Sequence, residues 1–324
     1  MKRVNYLIVA LSLYVILLLF LSKPCIALEV KIPNSFPAIL IFGDSTVDTG
    51  NNNFIPTVSK GNYFPYGKDF PGHVATGRFS NGKLMPDMIA SKLEIKELVP
   101  PFLDPKLSND DIKTGVSFAS AGTGFDNLTT AISKVIPMKK QIDFFKNYTQ
   151  RLEGIVGMDE SKRIVGNALV VISAGTNDLT FNFYDIPIRR LQYNISGYQD
   201  FIQSKLQNLI EEIYHLGCRN IVVAGLPPIG CLPIQQTLSF KDPQNRKCVE
   251  DQNSDSEAYN QKLSELLKNL EAQLPESTIL HVDIYTPLMD MINNPDKYGK
   301  PVLSRQTKVV VELDWLKQGL YVMH

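Results

Sequence analysis

Ala38-Ile39-Leu40-Ile41-Phe42 runs directly into Gly43-Asp44-Ser45, and this junction decides the architecture of the chain. Five consecutive apolar residues without alternation describe a strand covered on both faces, as in a parallel sheet. Similar runs recur at 115–119, 168–172, 220–224 and 278–284. Between them, Ile202, Leu206, Leu209, Ile213 and Leu216 step by three and four toward Gly217. Tyr259, Leu263, Leu266, Leu270 and Leu274 do the same before Pro275. Both sets predict amphipathic helices, the first closed by a glycine cap. Strands alternating with helices imply right-handed crossovers and a three-layer α/β/α domain on a five-stranded parallel sheet. Ligands of such sheets bind at the carboxyl ends of the strands.

At those ends the chain offers three turns. The first is Gly43-Asp44-Ser45, where a serine hydroxyl would sit near N–H groups able to stabilise an oxyanion. Taken alone, the tripeptide reads equally as a helix N-cap, and that is the commoner use. The second strand leads into Ala119-Ser120-Ala121-Gly122-Thr123-Gly124, a small-residue turn that leaves backbone amides uncovered. The third leads into Gly175-Thr176-Asn177-Asp178, whose Asn amide is another oxyanion donor. Each is ordinary turn chemistry by itself. Together, at three successive strand ends, they form a specific constellation. The long 51–113 stretch, rich in Gly, Pro and Asn and helical only near 86–93, is either a binding wall or an ordered surface excursion.

Composition narrows the partners. The 324 residues carry 33 basic and 33 acidic side chains, so no net charge argues for nucleic acid or an anionic membrane. Four His and four Cys are scattered, with no metal-binding spacing. Lys2 and Arg3 precede an apolar run from Leu7 to Leu21, and Cys25-Ile26-Ala27 supplies small residues at a cleavage position. This layout predicts a signal peptide over 1–27, too short to stay as a membrane anchor. Secretion, to the extracellular space or cell wall, agrees with three glycosylation sequons at Asn127, Asn147 and Asn194. Cys231 and Cys248 flank a polar, Pro-containing loop and are expected to pair in an oxidising compartment, leaving Cys218 free.

Five stretches, FPAILIFGDSTVDTGNNN (36–53), TGRFSNGK (76–83), TGVSFASAGTG (114–124), ISAGTND (172–178) and GLPPIGCLP (225–233), resemble the plant GDSL-motif esterase/lipase family. That family lies within the SGNH hydrolases, and the likeness is strongest to its extracellular lipase group. The resemblance covers nearly all of 36–298 and implies a flavodoxin-like sheet in a 28–299 hydrolase domain. It implies Ser45 as nucleophile, and an oxyanion hole from the Ser45 N–H, the Gly122 N–H and the Asn177 amide. Gly124 is the alternative to Gly122, and Gly43, Asp44 and Asp178 are supporting residues. Neither metal nor organic cofactor is implied. The expected partner is a small acyl ester, of a lipid or an acylated glycan, bound by a monomer.

The family's base and its orienter form an Asp-x-x-His block near the C-terminus. No such block occurs in these 324 residues, and 300–324 reads as an atypical tail unrelated to the family. His73, in the long excursion, is the least implausible substitute. His215 lies at a helix end, His281 inside the last strand, and His324 closes the sequence. A hydroxyl without a base is a poor nucleophile, so impaired hydrolysis is the expectation. The alternatives are a non-catalytic secreted binder of acyl lipid or cell-wall glycan, and an unstable splice product.

Overall fold

The computed structural model describes residues 35–239 and 247–298. The expected signal peptide, the 300–324 tail and His324 lie outside them. Four parallel strands form the sheet in the order β1 (Ile39–Gly43), β2 (Leu169–Ser173), β3 (Asn220–Ala224) and β4 (Thr278–Val282). The helices are α1 (Met85–Lys92), α2 (Asn109–Thr114), α3 (Asn127–Ser133), α4 (Met138–Val156) and α5 (Met158–Asn167). They continue as α6 (Ile195–His215), α7 (Pro233–Ser239), α8 (Glu250–Gln273) and α9 (Tyr285–Asn293). The two helices read from sequence appear as α6 and α8. Gly217, just past α6, has φ 109°, the left-handed region its lack of a side chain permits.

The fifth expected strand is reduced to two isolated bridges, Ser117 with Ile41 on one side and with Pro101 on the other. The 115–119 run does lie parallel along β1: Ile41 N donates to Val116 O at 3.1 Å and Phe118 N to Ile41 O at 2.8 Å. The ladder breaks at Gly43 because Gln141 of α4 diverts its N–H and shares its carbonyl, which still accepts from Ser120 N at 3.0 Å. Gly43 N donates to Gln141 Oε1, and Gln141 Nε2 donates to Gly43 O, both at 2.9 Å. On its far side the run meets only Pro100–Phe102, where Pro101 has no N–H to extend a pairing. The spatial order of run, β1, β2, β3, β4 keeps the doubly wound arrangement, with β1 at the point where the winding reverses.

Apolar residues cover both faces of the sheet unevenly. Leu40, Phe42, Val170, Ile172, Ile221, Val223 and Ile279 face a large core built with Phe145 and Tyr148 of α4, Leu206 of α6 and Leu263 of α8. On the opposite face Ile39, Ile41, Leu169 and Val171 pack with Ala90 of α1, Val47 and Val99. All residues of β1 and β2 are buried, whereas in β4 only Ile279 is.

The 51–113 excursion holds little regular structure but is firmly tied. Arg78, 5% exposed, donates two bonds of 2.8 Å to Asp87 of α1, which is fully buried. The same guanidinium reaches Thr49 O and Val99 O, and Asp87 accepts from Leu84 N and Val99 N. Farther along the chain, Cys231 and Cys248 form a disulfide with Cα atoms 4.3 Å apart, and Cys218 is free and buried.

Candidate active site

Side-chain and backbone hydrogen bonds together shape the three turns. Beyond β1, Asp44 N donates to Ser173 O at 3.0 Å and Asp44 Oδ1 accepts from both Thr46 N and Thr46 Oγ1. This Asx turn skips Ser45. Among the described residues nothing accepts from the Ser45 N–H, and nothing bonds its hydroxyl, which is half-buried.

The second turn closes when Thr123 N donates to Ser120 O at 3.1 Å, with Gly122 at φ 89°. A glycine with positive φ at the third position marks a type II turn. Ser120 N donates to Gly43 O at 3.0 Å, which joins this turn to the first. The Gly122 N–H, though buried, donates to no described residue. In the third turn Asn177 Nδ2 donates one hydrogen to Thr123 O at 2.8 Å and keeps the other. Ser45, Gly122 and Asn177 therefore stand on three turns bonded to one another at the carboxyl edge of the sheet.

Gly124 has a different duty. A Cβ there would stand 2.1 Å from Asp178 Oδ1, so only glycine admits the carboxylate. Asp178 accepts from Phe125 N at 2.8 Å, Asp126 N at 3.0 Å and the Thr129 hydroxyl. Asp126 in turn takes a bidentate bond from Arg189 at 2.7 and 2.8 Å. The turn after β2 is thus pinned to the segment after Gly124. Asp48 and Asn52, buried beyond the β1 turn, make the same kind of connection through Ala121. These two residues, with Asn51, Thr129 and Gln141, were assigned no part in the site by sequence reasoning. The signal available was the run Asn51-Asn52-Asn53 following Asp48-Thr49-Gly50, polar residues in a stretch that ends fully buried at Asn51 and Asn52.

Burial pushes the carboxyls of Asp44 and Asp48 up to about 6 and that of Asp178 up to about 7. All three lie above the ~3.9 of an unfolded chain. Their stabilising contribution is full below that value and is lost as pH rises through the folded values. His281 acts oppositely: burial lowers its pKa, so its contribution is lost as pH falls. Three carboxyls outweigh one imidazole, and Tm is expected to fall between about pH 4 and about pH 7. Asp178→Asn should flatten the upper half of that fall. Thermal melts across the range check this, and a level or rising Tm overturns it.

The described histidines stand elsewhere. His73 is exposed and its Nδ1–H donates to Lys68 O. His215 ends α6 with its ring against Tyr214. His281 sits in β4, three strands from β1, its Nε2 buried with no partner among the described residues. The asparagines of the three sequons are all exposed: Asn127 opens α3, Asn147 lies within α4, and Asn194 caps α6 by accepting from Gly197 N at 2.8 Å. Among the described residues no group of His, Cys, Asp or Glu is arranged to hold a metal, and no helix is long and apolar enough to cross a membrane.

Residues 39–310 match the model of the GDSL-like lipase/acylhydrolase family, a match that ends inside the 300–324 stretch. Several Arabidopsis thaliana proteins are similar over most of the chain. GDSL esterase/lipase At2g30310 is 60% identical over 266 residues, 82% of this chain and 74% of that protein. GDSL esterase/lipase At1g06990 is 52% identical across 86% of this chain and 78% of its own length. GDSL esterase/lipase At2g31540 is 53% identical across 90% and 81%.

Proposed function

The chain belongs to the GDSL-like lipase/acylhydrolase family, and from that premise we propose a secreted carboxylic-ester hydrolase site centred on Ser45 whose turnover is severely impaired in this 324-residue form. The Ser45 oxygen attacks the acyl carbon of a small ester, from a lipid or an acylated glycan. The carbonyl oxygen takes up negative charge, the alcohol leaves with a proton, and water then releases the acid and frees Ser45.

The observation that carries this reading is a set of three donors without partners among the described residues. The Ser45 N–H, the Gly122 N–H and the second Asn177 hydrogen stand on turns bonded to one another at one sheet edge. A buried N–H left unpaired is costly unless something else takes the bond. A developing oxyanion would take it, and each such donor is worth about 10²–10³ in rate in comparable sites.

The impairment rests on the absence of Asp-x-x-His from the 324 residues and on the bare Ser45 hydroxyl. Without a base, that hydroxyl keeps its proton as the attack begins. Loss of the histidine from a Ser–His pair costs on the order of 10⁶ in kcat, leaving the oxyanion donors and binding. The same bare hydroxyl favours a second reading, in which the cleft binds acyl ligands without turnover.

A fluorophosphonate probe separates the cases, because it marks only an activated serine. Folded chain is expected to label weakly or not at all at Ser45, with slow hydrolysis of 4-nitrophenyl acetate that Ser45→Ala abolishes. Strong labelling at Ser45 overturns the impairment. Hydrolysis that survives Ser45→Ala removes this site from the reaction.

A further inference from the structure

Ser120-Ala121-Gly122-Thr123 is a type II turn, and its central peptide joins the Ala121 carbonyl to the Gly122 N–H. A planar trans peptide points these two groups in opposite directions. Types I and II differ by a flip of this one peptide, and glycine at the third position tolerates both. The closing bond from Thr123 N to Ser120 O is common to both turns, so it does not choose between them. The choice falls to whatever holds the Ala121 carbonyl.

Asn52 holds it. Its Nδ2 donates to Ala121 O at 3.0 Å and, with its other hydrogen, to Ser59 O at 2.8 Å. Its Oδ1 accepts from the Ser120 hydroxyl. The amide is fully buried and both its hydrogens are committed, so its rotamer is fixed. Asp48 anchors the preceding peptide by accepting from Ala121 N at 2.9 Å.

We propose that Asn52 is a positioning residue for ester hydrolysis: it holds the central peptide so that the Gly122 N–H, and not the Ala121 carbonyl, faces the acyl oxygen. The inference rests on the reading of Ser45 as nucleophile and Gly122 as oxyanion donor. Without Asn52 the peptide is free to flip, which replaces a donor by an acceptor at the point where negative charge develops.

The test uses the full chain labelled with ¹⁵N-glycine, as Asn52→Ala and Ser120→Ala beside the unsubstituted protein. Ser120→Ala removes the hydroxyl that orients the Asn52 amide and serves if Asn52→Ala does not fold. Asn52→Ala is expected to lower kcat for 4-nitrophenyl acetate by about tenfold or more, up to the ~10²–10³ of one oxyanion donor, with KM changed by less than about twofold. Ser120→Ala should give a smaller loss of the same kind. The Gly122 amide resonance should move in both variants while those of Gly157 and Gly217 stay in place. A kcat within about twofold of the unsubstituted chain, measured below the melting transition, overturns the proposal. An unmoved Gly122 resonance does so too. If Ser45→Ala retains turnover, the functional reading fails, and the Gly122 resonance alone then decides the role of Asn52.

Discussion

A chimera that follows this chain through Tyr298 with the C-terminal segment of the 60%-identical Arabidopsis relative is expected to hydrolyse 4-nitrophenyl esters on the order of 10⁴- to 10⁶-fold faster than the 324-residue chain. In the family this chain resembles, an Asp-x-x-His block is expected near the C-terminus, the part that the chimera replaces. The donors of the proposed oxyanion hole stand without partners among the described residues, and so does the Ser45 hydroxyl. An imidazole brought within hydrogen-bond reach would accept the hydroxyl proton as attack begins and return it to the leaving alcohol. The carboxylate would hold that imidazole in the right tautomer. The histidine carries the gain, so changing it to Ala within the chimera should return kcat to the baseline. The comparison is a plain measurement of kcat on the three proteins at matched concentrations. A gain below about tenfold sinks the idea that this chain lacks only its base.

Removing Asp87 should produce the largest loss of stability of any single ion pair described, because both partners are buried. Asp87→Ala leaves the Arg78 guanidinium buried and uncompensated, and it strips acceptors from Leu84 N and Val99 N. Breaking one partner of a buried pair costs about 3–5 kcal/mol. In a domain of this size that is a drop in Tm of about 5–10 °C. The reach of Arg78 to Thr49 O carries the damage toward the β1 turn, so activity should fall with stability. Calorimetry of Asp87→Ala against Asp87→Asn, which keeps one acceptor, checks the cause. A Tm within about 2 °C of the unsubstituted chain removes the pair from the account.

The fold was legible where apolar residues run unbroken. The stretches 38–42 and 168–172 needed no long-range information, because burial on both faces forces the pattern that betrays it, and 220–224 and 278–284 show the same run with less burial. The 115–119 run carries the same pattern and lies along the same sheet, yet its ladder ends at Gly43. No local rule foretells that, because the competitor is a glutamine 98 residues away in sequence. α4 was missed for a related reason. Ile142, Phe145, Tyr148 and Leu152 do step correctly, but the lysines and glutamines between them dilute the signal, and Gln141 is a polar residue on the buried face. In the site, serine, glycine and asparagine were readable as turn residues. The connections through Asp48, Asn52 and Asp178 were not, since each acts by reaching a backbone group that only the folded chain brings near.

The uneven cover of the sheet has a kinetic meaning. Burial declines from β1 and β2, fully enclosed, through β3 to β4, where one residue of five is buried. Local opening follows burial, so the free energy needed to expose backbone amides is graded across the sheet. Fluctuations enter at β4 and must cross β3 and β2 before they reach β1. The serine turn lies at the far end of that path, braced by Gln141 on one side and Ser173 on the other. A chain frayed at β4 therefore still presents Ser45 on an intact turn, and the enclosed strands β1 and β2 are the last of the four to open.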